Sequence, residues 1–157
     1  LDLSEDMLSY GRKKAKKKGV EHIVEYVKGD SENLQFDDNT FDGMTVGFGV
    51  RNFEQLEKGL SEMLRVLKPG GKLVILEISK PSAFPVKQLF TLYFHYVCPL
   101  IGRAFSKDHR AYTYLPESVE AFPHGQAFLD ILGQVGYKNA VWTPLTFGIC
   151  AMYTCEK

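Results

Sequence analysis

The sequence predicts an α/β fold, a mostly parallel sheet wound with helices, and three observations predict it. Leu56, Leu60, Met63, Leu64 and Leu67 recur at helical spacing, and Leu73 to Ile78 follow as an apolar run of strand length. Between them stand Pro69, which has no amide donor, and Gly70-Gly71, whose backbone is permissive, so helix gives way to strand through a sharp turn. Earlier in the chain, strand-length runs and helices also alternate, the pattern of parallel strands joined by right-handed crossovers.

Each element has its own local reason. Leu1-Asp2-Leu3 reads as the tail of a strand, after which Ser4 can cap a helix with Glu5 and Asp6 in its first turn and Gly19 at its end. The lysine run from Lys13 to Lys18 sits where the helix dipole favours cations, so a solvated face accounts for it. Ile23 to Val27 is a second strand candidate, broken by Gly29-Asp30-Ser31, and Asp37-Asp38-Asn39 marks a turn before Phe41-Asp42 and a strand from Gly43 to Gly47. A helix from Glu54 to Leu67 and a strand from Lys72 to Ser79 come next. Phe84 to Phe105 is an aromatic-rich insertion broken by Pro85, Pro99 and Gly102. Short helices are predicted at Pro116 to Ala121 and Gln126 to Val135, the second closed by Gly136. Asn139 to Thr143 and Phe147 to Cys155, separated by Pro144-Leu145, read as a terminal strand pair.

Composition narrows the function classes. The 157 residues make one domain or part of one, and 19 basic residues balance 19 acidic ones, so no global field draws in nucleic acid. Cys98, Cys150 and Cys155 are odd in number and lack metal-like or C-x-x-C spacing, which predicts reduced thiols in a cytoplasmic compartment. The four histidines are scattered, and no metal site is expected. Leu89 to Ile101, the longest apolar run, is interrupted by Thr91 and His95 and is shorter than the roughly 20 residues of a membrane span.

In an open α/β sheet, ligands bind beyond the carboxyl ends of the strands. Asp2 ends the first strand, where a carboxylate can accept from both hydroxyls of a ribose, or can simply start a helix. Asp30 could accept from an adenine amino group while the Ser31 amide donates to a ring nitrogen; Gly-Asp-Ser is also an ordinary turn. Gly47, with no side chain, would let a ligand approach the backbone, or mark a bend.

The run Arg65-Val66-Leu67-Lys68-Pro69-Gly70-Gly71, continuing to Glu77 and Ser79, resembles the C-terminal signature of the ubiquinone and menaquinone biosynthesis C-methyltransferases. The resemblance extends through Asp38 to Asp42, Phe48-Gly49-Val50-Arg51-Asn52 and Tyr112 to Ser118, and covers essentially the whole chain. It implies the class I S-adenosyl-L-methionine (AdoMet) methyltransferase fold with an antiparallel last strand. It further implies that Asp2, Asp30, Ser31 and Gly47 bind AdoMet and that Arg51 is the catalytic residue, helping to ionise the phenol of a polyprenyl quinol beside the carbon to be methylated. Pairing of Arg51 with an acid such as Glu54 is the competing reading. On the catalytic reading, Arg51→Ala lowers turnover far more than AdoMet binding.

In such folds a glycine-rich loop precedes the ribose acid by about twenty residues. Asp2 is the second residue here, so residues 1–157 are expected to form the C-terminal two-thirds of one methyltransferase domain, with an insertion at about 82–115. Without an inner strand the sheet would expose edges that invite strand exchange or a homodimer. The aromatic segment of Phe90, Tyr93, Phe94 and Tyr96 reads either as ordinary core or as an apolar lid or tunnel for a polyprenyl tail; the lid is the expectation, with peripheral association at the inner membrane. A methyltransferase for another lipid or small acceptor, and a non-catalytic assembly subunit, remain open on this reading.

Overall fold

The computed structural model describes residues 1–97, 100 and 109–157. A sheet of four strands carries the fold: β1 (Phe41–Gly47), β2 (Leu67–Ile78), β3 (Lys138–Leu145) and β4 (Cys150–Glu156), in spatial order β1-β2-β4-β3. β1 and β2 run parallel, and β4 lies antiparallel to both β2 and β3. The last strand in the chain therefore inserts between two others, against their direction.

The α1 helix (Glu5–Lys18) has the predicted caps: Ser4 Oγ accepts from the Met7 amide at 3.4 Å, and Gly19 turns into the left-handed region. The α2 helix (Leu56–Val66) and α5 (Gln126–Val135) supply the apolar faces that cover the sheet. Leu60, Met63 and Val66 from α2, with Phe128 and Leu132 from α5, bury against Leu73 and Ile75 of β2 and Ala151, Tyr153 and Cys155 of β4. The two phenols buried among the described residues are satisfied: Tyr137 donates to the Leu60 carbonyl at 3.0 Å, and the Gly125 amide donates to Tyr153 Oη at 2.9 Å. Trp142 of β3 lies over Gly125, where an added Cβ would stand 3.3 Å from the indole.

Three expectations are corrected. Ile23 to Val27 is not a regular strand; its segment makes a single parallel bridge, Asp2 to Lys28, and Ile23 is 72% exposed. Its backbone meets the Leu1–Leu3 segment at the isolated Asp2–Lys28 bridge alone, so no ladder runs along residues 23–27. The Pro69-Gly70-Gly71 turn is a bulge inside β2, with Phe41 paired to Leu67 and Gly43 to Lys72; Gly70 takes φ of 78°, open to glycine at no steric cost. Pro144 lies within β3, and the break falls at Thr146–Gly148. A proline fits there because β3 is an edge strand, where one side of the backbone has no ladder to feed.

Between β2 and α5 the chain forms α3 (Val86–Leu92), a π-helical turn (Tyr93–Val97) and α4 (His109–Ala121), which runs through Pro116 and is longer than predicted. Phe90 stacks on Phe94 with ring centroids 4.3 Å apart. Cys98 and the stretch 101–108 of the expected insertion lie outside the described residues.

Candidate functional site

Along β1 and at its carboxyl end the structure gathers the four cofactor candidates. Asp2, Asp30, Ser31 and Gly47 all line one cavity of about 780 Å³, together with Gly49, Asn52, Leu34 and Phe36. The cavity runs between the Asp2–Lys28 bridge and the outer edge of β1, which has no strand neighbour on that side among the described residues. Along Gly43 to Val46 its wall is thus strand backbone, while Asp2, Asp30, Ser31, Gly47 and Asn52 bring polar groups and open space to its rim.

Each rim residue is held by its own local structure. Asp2 Oδ1 accepts from the Ser4 amide at 2.8 Å, and Asp30 Oδ1 accepts from the Glu32 amide at 2.8 Å. Both acids are turn residues, as the plain reading had it, and both keep Oδ2 without a partner among the described residues. Gly47 pairs with Leu76, and nothing lies within 4 Å of where its Cβ would stand, so the strand ends beside open space.

Arg51 follows from the loop after β1 but is not among the residues lining this cavity. Its guanidinium turns inward: Nη1 donates to Glu77 Oε1 at 2.6 Å and to the Phe48 carbonyl at 2.7 Å, and its side chain is 11% exposed. The acid partner is therefore Glu77, 26 residues on, in place of the nearby Glu54. Glu77 is wholly buried on the same face of β2 as Leu73 and Ile75. Its charge, after burial itself, pushes the Cys150 thiol upward.

Several contributors were missed by the sequence reading. Glu32 Oε1 accepts from the amides of Glu54 at 2.7 Å and Gln55 at 3.2 Å, tying the Asp30 turn to the start of α2. Arg65 donates to the carbonyls of Leu34 and Phe36, to Asp38 and to Glu62, and so fixes the 34–38 segment that walls the cavity. Its guanidinium holds the Glu62 carboxyl below the ordinary carboxylate range. Tyr114 of α4 donates to Asn52 Oδ1 at 3.0 Å, reaching the rim from the aromatic side. Sequence signals existed for Glu77, an acid at an alternating apolar position, and for Arg65, three residues from Glu62 on one helix; Glu32 and Tyr114 act through contacts more than twenty residues apart.

The whole chain, residues 1–157, matches the model of the ubiE/COQ5 methyltransferase family. It is 49% identical over 156 residues to a demethylmenaquinone methyltransferase of Bacteroides fragilis, covering 99% of this chain and 64% of that protein. A demethylmenaquinone methyltransferase of Anoxybacillus flavithermus is 42% identical, with 100% and 66% covered. The chain thus spans just under two-thirds of the length of these curated relatives. Among solved structures, a SAM-dependent methyltransferase from Aquifex aeolicus superposes with a TM-score of 0.66 at 20% identity, over 98% of this chain and 64% of that one. The likeness shows the fold: an α/β sheet of the class I methyltransferase kind.

Proposed function

The chain belongs to the ubiE/COQ5 methyltransferase family, and from that premise we propose that the full-length protein transfers a methyl group from AdoMet to a ring carbon of a polyprenyl quinol, demethylmenaquinol first among them. What supports this reading is the convergence of two unpaired carboxylate oxygens and a side-chain-free strand end on one cavity rim. Asp2 would accept from the ribose hydroxyls, Asp30 from the adenine amino group, and the Ser31 amide would donate to a ring nitrogen. Gly47 leaves the space that the ligand's bulk needs. When bound, AdoMet supplies an electrophilic methyl group on a sulfonium, so the carbon that receives it must be electron-rich.

The loop from Phe48 to Asn52 would face the acceptor, where a donor beside the developing phenolate favours its ionisation. Arg51 would act on that side, with its guanidinium oriented by Glu77. For the tail, a second cavity of about 700 Å³ lies beside α3, lined by Phe90, Phe94 and Val119 with Lys80 and Lys87. No helix among the described residues is long and apolar enough to cross a membrane. Phe84, 81% exposed, and the outward Leu89, Leu92 and Tyr96 would rest against a bilayer surface.

The experiment is methyl transfer from labelled AdoMet to demethylmenaquinol carried in liposomes. The expected product is the quinol one methylene heavier, labelled on the ring, with the protein floating with the vesicles. Label arriving instead on a phospholipid amine, or on nothing, would overturn the assignment. A second prediction concerns space alone: Gly47→Leu is expected to leave the unfolding midpoint within a few degrees of the parent and to weaken AdoMet binding roughly tenfold or more. Calorimetric titration of both proteins checks it, and equal affinities would remove Gly47 from the cofactor wall.

A further inference from the structure

We propose that Glu77 is a positioning residue: by pairing with the inward-turned Arg51 guanidinium and the Arg51 amide, it holds the Phe48–Asn52 loop, whose Gly49 and Asn52 line the cavity, in place on the acceptor side. The proposal rests on the methyl-transfer reading above. A carboxylate that is completely buried among apolar residues costs far more than the leucine that the alternation of β2 calls for, and it persists only when its oxygens are satisfied. Three donors satisfy Glu77, and two of them come from one residue. Arg51 Nη1 reaches Oε1 at 2.6 Å, the Arg51 amide reaches Oε2 at 3.3 Å, and the Ile78 amide reaches Oε1 at 2.9 Å.

The contact fixes main chain and side chain together. The same Nη1 that meets Glu77 also donates to the Phe48 carbonyl, and Phe48 has φ of 57°, a conformation that a bulky side chain adopts only when its surroundings impose it. Glu77, Arg51 and Phe48 thus lock a strained turn whose neighbours Gly49 and Asn52 line the cavity. Gly47 does not depend on this lock, because it is held by its pairing with Leu76 and by the Phe48 amide, which donates to the Leu76 carbonyl at 2.8 Å. The cofactor side is therefore set by the sheet and the acceptor side by Glu77.

That division gives a test that a purely structural ion pair would fail. In the full-length protein, Glu77→Gln is expected to lower kcat with demethylmenaquinol roughly tenfold or more while the Kd for AdoMet stays within about threefold. The double variant Arg51→Leu with Glu77→Leu replaces a buried ion pair by apolar groups, a change that commonly preserves stability. It is expected to regain the parent's unfolding midpoint and to keep the low kcat. Recovery of kcat together with the midpoint would reduce the pair to scaffolding and overturn the proposal, as would parental turnover in Glu77→Gln or a loss of AdoMet affinity in step with kcat.

If the leucine pair fails to fold, hydrogen exchange decides. The Arg51 amide should exchange roughly tenfold faster in Glu77→Gln than in the parent while the β4 amides keep their protection, and an unchanged Arg51 rate overturns the proposal. Should the unsubstituted protein bind AdoMet but methylate no quinol, the functional reading falls by itself, and the exchange measurement still judges Glu77.

Discussion

Asp2→Ala is expected to weaken AdoMet binding to the full-length protein about 100-fold, with the fold intact. A ribose diol donates two hydrogen bonds to one carboxylate, and bonds to a charged acceptor contribute about 1.5–3 kcal/mol each. Losing both removes at least the roughly 2.7 kcal/mol that a hundredfold change in Kd requires. Asp2 has a second task, since its Oδ1 accepts from the Ser4 amide at the start of α1. Asp2→Asn separates the two: the amide oxygen can still meet Ser4, while one ribose acceptor and the charge are gone. Calorimetric titration should rank the proteins parent, Asn, Ala. Parental affinity in the alanine variant would leave Asp2 as a helix-entry residue and nothing more.

Arg65→Leu is expected to cost about 3 kcal/mol of stability, because one guanidinium bridges α2 to three separate points of the 34–38 segment. Lysine cannot replace it, having no planar fork to reach the Leu34 and Phe36 carbonyls and both Glu62 oxygens at once. Denaturant unfolding measures the loss. Its pH dependence has a definite sign. Arg65 depresses the folded-state pKa of Glu62 below its ordinary value of 4.5, so that contribution is present above 4.5 and disappears as the pH falls through the lowered value. The gap in stability between the parent and Arg65→Leu should therefore narrow in acid. A gap independent of pH would show that Arg65 works through its carbonyl contacts alone.

How much could be read from the sequence follows from the range of each interaction. The α1 caps at Ser4 and Gly19 and the span of α5 from Gln126 to Val135 are set within one turn of chain, and they stand where local chemistry placed them. Gly47 was legible because the end of a parallel strand is where such sheets bind ligands, whereas Asp2 and Asp30 reach the same rim from isolated bridges. Ile23 to Val27 had the composition of a strand but no ladder to join, which no local signal records. Pro144 looked like a break because proline removes a donor, and its tolerance on the edge of β3 depends on where the strand lies in the sheet. Arg51 illustrates the limit most sharply. Its loop position was apparent, but the direction of its side chain was decided by a carboxylate 26 residues away on the neighbouring strand.

Trp142 is the chain's single tryptophan, and it lies on β3, at the opposite edge of the sheet from β1. Its indole covers the glycine before α5 and lines neither cavity. Within residues 1–157, tryptophan emission therefore has one source, an optical gauge of the α5–β3 contact rather than of the rim at Asp2. Unfolding of the Asp2, Gly47 and Glu77 variants can be followed by that light, with or without ligand, on a common scale.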